Sequence, residues 1–250
     1  MAFASPIEQF QVENLSPTLF NLGGHAVAFT NASLAMFIAL ILASTFAVLS
    51  MRRRAIIPGR WQMLAEMFYN AIDNTLVEAA GEKGREYMPF IYSIFMFILL
   101  CNLIGLLPDV YTVTSQLIVN LALAFTVIFS VISIGIARHG VRFLSVFVPK
   151  GAPVLLLPFL SLLEFVSFFV RPFSLSLRLF GNMLAGHILL KVFAAMSAAV
   201  ATAGWAATTS VFPVVLNIII VAFEVFVALL QAYIFTVLSS VYLRDALEMH

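Results

Sequence analysis

LLPFLSLLEFVSFFVRPFSLSLRLFGNMLAGHILLKVFAAMSAAV, residues 156–200, is almost wholly apolar or small, yet it carries Glu164, Arg171, Arg178, His187 and Lys191. As one helix this run would be roughly 65 Å long at 1.5 Å per residue. That is twice the roughly 30 Å hydrocarbon core of a bilayer. A second apolar stretch, residues 210–242, carries Glu224 and reaches roughly 50 Å by the same arithmetic. Residues 203–209, with Gly204 and Trp205, are the expected hairpin between the two. Such lengths fit either several upright and re-entrant pieces or two long helices that tilt strongly. The scarcity of polar spacer favours tilted helices, with Pro172, Gly181 and Gly186 as points where the first could bend.

The rest of the chain is consistent with a bilayer. Of the 250 residues, 62% are hydrophobic and 10% charged. A soluble domain cannot hide that much apolar surface, and globular chains average about 25% charged residues. The formal net charge of +1 offers no basic field for nucleic acid. Cys101 is the single cysteine and lies in an apolar run, so no intrachain disulfide is expected. The four histidines (His25, His139, His187, His250) are scattered, without metal-ligand spacing.

Charge asymmetry orders the remaining segments. Residues 1–31 contain no Lys or Arg, unlike a signal peptide, and read as an outer-side tail broken by Pro6 and Pro17. Residues 32–51 form a first span, and Arg52, Arg53, Arg54 and Arg60 follow on the inner side. Within 52–88, Trp61, Leu64, Met67, Phe68, Ile72 and Leu76 recur at helical spacing, as in an amphipathic surface helix. Residues 89–137 read as a two-helix transmembrane hairpin, with spans at about 90–107 and 117–137. Its link holds Pro108 and Asp109 but no basic residue. Arg138, Arg142 and Lys150 return the chain to the inner side over 138–155, and 156–250 is the long hairpin. The expectation is an all-α, polytopic membrane protein with its N-terminus outside and its C-terminus inside.

Ionisable residues inside a membrane are costly and mark function by default. Glu164, Arg171 and Arg178 are each seven apart, so they drift by only about 20° per step and share one helix face. Ser174 and Asn182 flank Arg178 at i−4 and i+4. Asn217, Glu224 and Gln231 repeat the spacing on the second helix. His187, nine residues after Arg178, faces the opposite side, where it suits proton relay. Sequence alone does not reveal whether it meets Glu224. Plainer roles exist as well. Glu164 and Arg171 could be an ion pair, Lys191 a snorkelling side chain, and Asn217 and Gln231 interhelical hydrogen-bonding groups. Arg178 is harder to explain away, because arginine cannot shed its charge by losing a proton.

The run Ser174-Leu175-Ser176-Leu177-Arg178-Leu179-Phe180-Gly181-Asn182-Met183-Leu184-Ala185-Gly186-His187 resembles the signature of subunit a of the rotary F-type ATP synthases. The similarity extends over nearly the whole chain, including Asn102-Leu103-Ile104-Gly105-Leu106-Leu107-Pro108 and the last helix with Glu224 and Gln231. The resemblance implies a stationary, non-catalytic subunit with no cofactor. Its partners would be a ring of c subunits, the b subunits of the peripheral stalk and the bilayer. It implies that Arg178 faces the ring carboxylate. Asn182, His187, Glu224 and Gln231 would line an outer half-channel, and Glu164 and Ser174 an inner one, with Arg171 and Asn217 in support. It implies a bacterial inner membrane or a mitochondrial one, and protons as the ion. A secondary transporter or channel is the alternative, though no repeat of broken helices is evident. No phosphate-binding Gly-rich loop occurs, so nucleotide chemistry would belong to other subunits.

Overall fold

The computed structural model of the chain describes residues 11–17, 20–22, 25–52, 58–107, 110–140, 143, 156–202 and 207–247. Among these, six α-helices dominate: α1 (Asn31–Met51), α2 (Arg60–Ala80), α3 (Met88–Gly105), α4 (Leu117–His139), α5 (Leu157–Thr202) and α6 (Ala207–Leu247). Five helical segments are long and apolar enough to cross a membrane; α2 is not among them. The 46 residues of α5 make it about 69 Å long. The 41 residues of α6 make about 62 Å. α6 therefore runs beyond residue 242, where hydropathy fades: Arg244 and Asp245 continue the helix, since charge ends an apolar run but not a helix. Several positions used above lie outside the described residues. They are Pro6, Arg53, Arg54, Pro108, Asp109, Arg142, Lys150, His250 and the hairpin centre at 203–206.

The described residues pack as two units. One draws on Met1–Ala43, Phe97–Gln116 and Leu179–Gln231. Its N-terminal part is not a bare tail: β1 (Phe20–Leu22) pairs antiparallel with β2 (His25–Val27). Thr30 then starts α1, its Oγ1 accepting the Ser33 N–H at 3.3 Å as an N-cap does. Ala39 of α1 packs on Cys101 and Ile104 of α3, with Phe97, Leu100 and Val110 around them. Cys101 is thus a small buried apolar residue.

The other unit draws on Ser44–Met96, Leu117–Arg178 and Ala232–His250. Here α2 uses its apolar stripe unevenly. Ile72 and Leu76 are buried, whereas Trp61 is 70% exposed and Met67 52%. Rings dock α2 on α3, Phe68 against Phe95 and Tyr69 against Tyr92. Gly81 ends α2 at φ 69°, ψ −178°, a conformation open essentially to glycine alone. The 3-10 turn after it (Glu82–Tyr87) brings Arg85 back onto Asp73, with Nη2 to Oδ2 at 2.6 Å. That guanidinium holds the Asp73 carboxyl below the usual carboxylate range. Arg138 closes the same region by pairing with Glu86 and lying over the Tyr87 ring.

Pro172 sits inside α5 without ending it. It removes the amide that would bond Phe168, a local loss that neighbouring helices can offset in a membrane protein. The Ser176 hydroxyl, one turn on, lies within bonding distance of the carbonyl oxygens of Pro172 (2.9 Å) and of Asn120 in α4 (3.1 Å), and its one hydrogen is shared between them, which ties α5 to α4.

Candidate functional site

In the unit containing 179–231, α5, α6 and the segment after α3 bring polar side chains inward. His187 (8% exposed), Glu224 (6%) and Gln231 (4%) are all buried, as are Asn102, Thr112 and Ser115. Helical phase explains the grouping. Residues 224 and 231 lie on one stripe of α6, and Asn217, a further two turns up, is half-buried on the same stripe. Exposed positions on that helix are apolar instead, Ile218, Phe223 and Phe226 among them, as a lipid- or partner-facing surface demands.

At Gly186, α5 is in close contact with the Glu224 side chain of α6. A Cβ there would overlap Glu224 Oε1 and lie 2.9 Å from its Cδ and 3.2 Å from its Cγ. Gly186 therefore serves as a seat for a carboxyl rather than as a bend in α5, which is continuous through it. His187 follows immediately, and its Nε2 lies 3.2 Å from Thr112 Oγ1. Asn102 of α3 reaches α6, its Nδ2 donating to the Ala228 carbonyl at 3.3 Å. Among the described residues, Glu224 Oε2, Gln231 Oε1, Asn102 Oδ1 and Asn217 Oδ1 are buried atoms with no hydrogen-bond partner in the protein. Buried polar atoms of this kind are normally satisfied by water. Near the end of the helices a cavity of about 570 Å³ is lined by Ala194, Ser197, Val214, Asn217 and Val221.

Arg178 belongs to the other unit and behaves differently. It is exposed, as are Ser174 four residues before it and Gly181, Asn182 and Ala185 after it on α5. Ser174, Gly181 and Ala185 are small. Glu164 and Arg171 approach each other at 3.9 Å with half-exposed side chains, a loose pair. Among the described residues no cluster of His, Cys, Asp or Glu is arranged to hold a metal.

The structure thus buries His187, Glu224 and Gln231 in the same unit, with the Glu224 carboxyl against Gly186, the residue before His187, and leaves Asn217 half-buried. Arg178, Ser174 and Asn182 are on an exposed face, and Glu164 is beside Arg171. Asn102, Thr112 and the close contact at Gly186 were not marked as site features by spacing. Asn102 had a signal, being an amide within an apolar span. Thr112 had none, since its partner is 75 residues away.

The chain is similar to known proteins along nearly its whole length. Residues 33–244 match the family model described as ATP synthase A chain. The chain is 45% identical to ATP synthase subunit a of Rhizobium johnstonii over 246 residues, which is 98% of each chain. It is 46% identical to the Brucella ovis protein of the same name over 244 residues, 97% of each. With the Bartonella henselae protein the identity is 44%, covering 97% of this chain and 96% of that one.

Proposed function

This chain belongs to the ATP synthase A chain family, and on that premise we propose that it is the stationary proton-channel subunit of an F-type ATP synthase membrane sector. It works against a c-subunit ring, is held by the peripheral-stalk b subunits, and sits in a bacterial inner membrane. The observation that carries this reading is the contrast along α5: a fixed cation exposed at Arg178, and a titratable side chain, His187, buried nine residues on.

Protons enter along the buried groups His187, Glu224 and Gln231, together with Asn182, as the outer half-channel. They neutralise a ring carboxyl, which then tolerates lipid. When that carboxyl comes round to Arg178 it must ionise, because an adjacent cation favours the charged form. The proton leaves toward the inner side past Ser174 and Glu164, with Arg171 and Asn217 supporting. Since arginine cannot deprotonate, Arg178 also stops protons from crossing directly between the half-channels. A membrane potential of about 100 mV supplies roughly 2.3 kcal/mol per proton, which several protons sum into ring rotation. ATP chemistry belongs to other subunits. The small residues Ser174, Gly181 and Ala185 near Arg178 suit the close approach of a ring helix. Helices about twice the hydrocarbon thickness lie tilted in the bilayer, which lets one helix border both half-channels. Arg52, Arg60, Arg138 and Arg244 favour an inner C-terminus and an outer N-terminus.

The test is Arg178→Ala in membrane vesicles, with ATP-driven proton pumping, proton-driven ATP synthesis and co-purification of the complex measured together. Both activities vanish while assembly persists; normal coupled activity in the variant refutes the role. Glu224→Ala and His187→Ala slow transport without ending it.

A further inference from the structure

Thr112 is 1% exposed and precedes the short 3-10 turn Val113–Ser115. A threonine in that position ordinarily turns its hydroxyl to cap its own helix. Here it makes no such bond. The hydroxyl oxygen instead lies 3.3 Å from the Gly105 carbonyl oxygen and 3.2 Å from His187 Nε2. The approach is close enough that a Cβ on Gly105 would come within 2.7 Å of the Thr112 Cγ2 methyl. Gly105 is therefore shaped to receive Thr112, as Gly186 is to receive Glu224.

The proton inventory sets the direction of this chain of bonds. A threonine hydroxyl has one hydrogen to give and lone pairs to receive. Gly105 ends α3, and its buried carbonyl oxygen can only accept a hydrogen. The Thr112 hydrogen therefore goes to Gly105, and the oxygen accepts a hydrogen from the imidazole. A neutral histidine carries one N–H, so this bond holds it on Nε2. The Nε2 side then ends at a backbone carbonyl, which passes no proton onward.

We propose that Thr112 is the positioning residue of His187, fixing the Nε2–H tautomer so that Nδ1 is the nitrogen that exchanges protons along the path. This inference rests on the proton-path reading above. Removing the hydroxyl frees the ring to rotate and to change tautomer, and lowers the fraction of turnovers that begin with Nδ1 in place.

The experiment is ATP-driven proton pumping in vesicles carrying the assembled complex with Thr112→Val, Thr112→Ser or Arg178→Ala. Thr112→Val, which keeps the shape and loses the hydroxyl, lowers the rate roughly three- to ten-fold, as expected for one neutral hydrogen bond. Thr112→Ser restores it to near wild type. Should valine impair assembly, Thr112→Ala is read in the same way. Gly105→Ala also slows pumping, and adding Thr112→Ser, which removes the clashing methyl, recovers much of the loss. Wild-type pumping by assembled Thr112→Val or Thr112→Ala, or failure of serine to restore the rate, overturns the assignment while Arg178→Ala remains inactive. Pumping by Arg178→Ala would instead overturn the proton-path reading on which it depends.

Discussion

Replacing Gly186 by alanine separates proton transport from folding. The added methyl overlaps Glu224 Oε1 and sits 2.9 Å from Cδ. Carbon atoms pack at about 3.5–4.0 Å, so the carboxyl must retreat by roughly 1 Å. The backbone need not move, because the obstructing atoms are the end of a flexible side chain. An off-rotamer glutamate costs about 1 kcal/mol. Alanine in place of glycine within a helix returns about 1 kcal/mol. The two nearly cancel, and the complex assembles normally. Transport does not escape so easily: a displacement of about 1 Å in a reacting group can cost on the order of 100-fold. The assay is proton pumping by vesicles with complex content equalised by quantitative blotting, and the expected result is a ten- to hundred-fold loss, of that same order. Glu224→Asp in the same chain shortens the side chain by one carbon–carbon bond of about 1.5 Å and vacates the contested space. The double variant therefore pumps faster than Gly186→Ala alone. Wild-type pumping by Gly186→Ala would refute the idea that the carboxyl works from its seat on α5. A double variant no better than the single one would refute the steric cause.

Two further outcomes concern the unit containing α2 and α4. Asp73→Asn removes the closer of the two carboxylates that pair with Arg85, leaving Glu82, and lowers the thermal midpoint of the purified complex by about 1–3 °C, an effect that high salt reduces. Because the folded Asp73 pKa is depressed, its contribution is fully present above the unfolded value of about 3.9 and is lost only as pH falls through the lower folded value. The difference between wild type and variant is therefore flat across pH 6–8, and a difference that titrates in that range would contradict the assignment. At Gly135, a Cβ would run into the buried Phe143 ring, reaching 2.9 Å even from Cζ. Gly135→Ala accordingly reduces the amount of assembled complex by blot, and Phe143→Leu restores it. Full assembly of the single variant would mean that the ring is not held there.

Much of this was legible because helices are periodic. Seven-residue spacing made Glu164, Arg171 and Arg178 neighbours on a face, and a nine-residue step turned His187 away from Arg178; the burial of one and the exposure of the other follow from that geometry alone. Hydropathy likewise located the spanning helices, since a bilayer imposes a length scale that a soluble core does not. Periodicity is silent on what meets across a gap. Glycine at 186 reads as a helix weakness until the side chain opposite it is known, and Thr112 lies in a connecting segment whose partner is set only by tertiary packing. The short β-hairpin before α1 escaped for a related reason: strands of three residues carry too little alternation to stand out.

The buried polar groups also explain why the proposed path draws on four elements rather than one. A single α6 stripe offers a polar side chain about every two turns, near 10.5 Å apart for seven residues, as between Asn217, Glu224 and Gln231. That exceeds the reach of a hydrogen bond several-fold. His187 from α5, Asn102 from α3 and Thr112 from the segment after α3 add polar groups around that sparse stripe, and water can join groups that remain apart. Losing one contributor should therefore slow transport, as the others still support a path. Losing Arg178 ends coupling, because no neighbouring water or amide can replace a permanent charge.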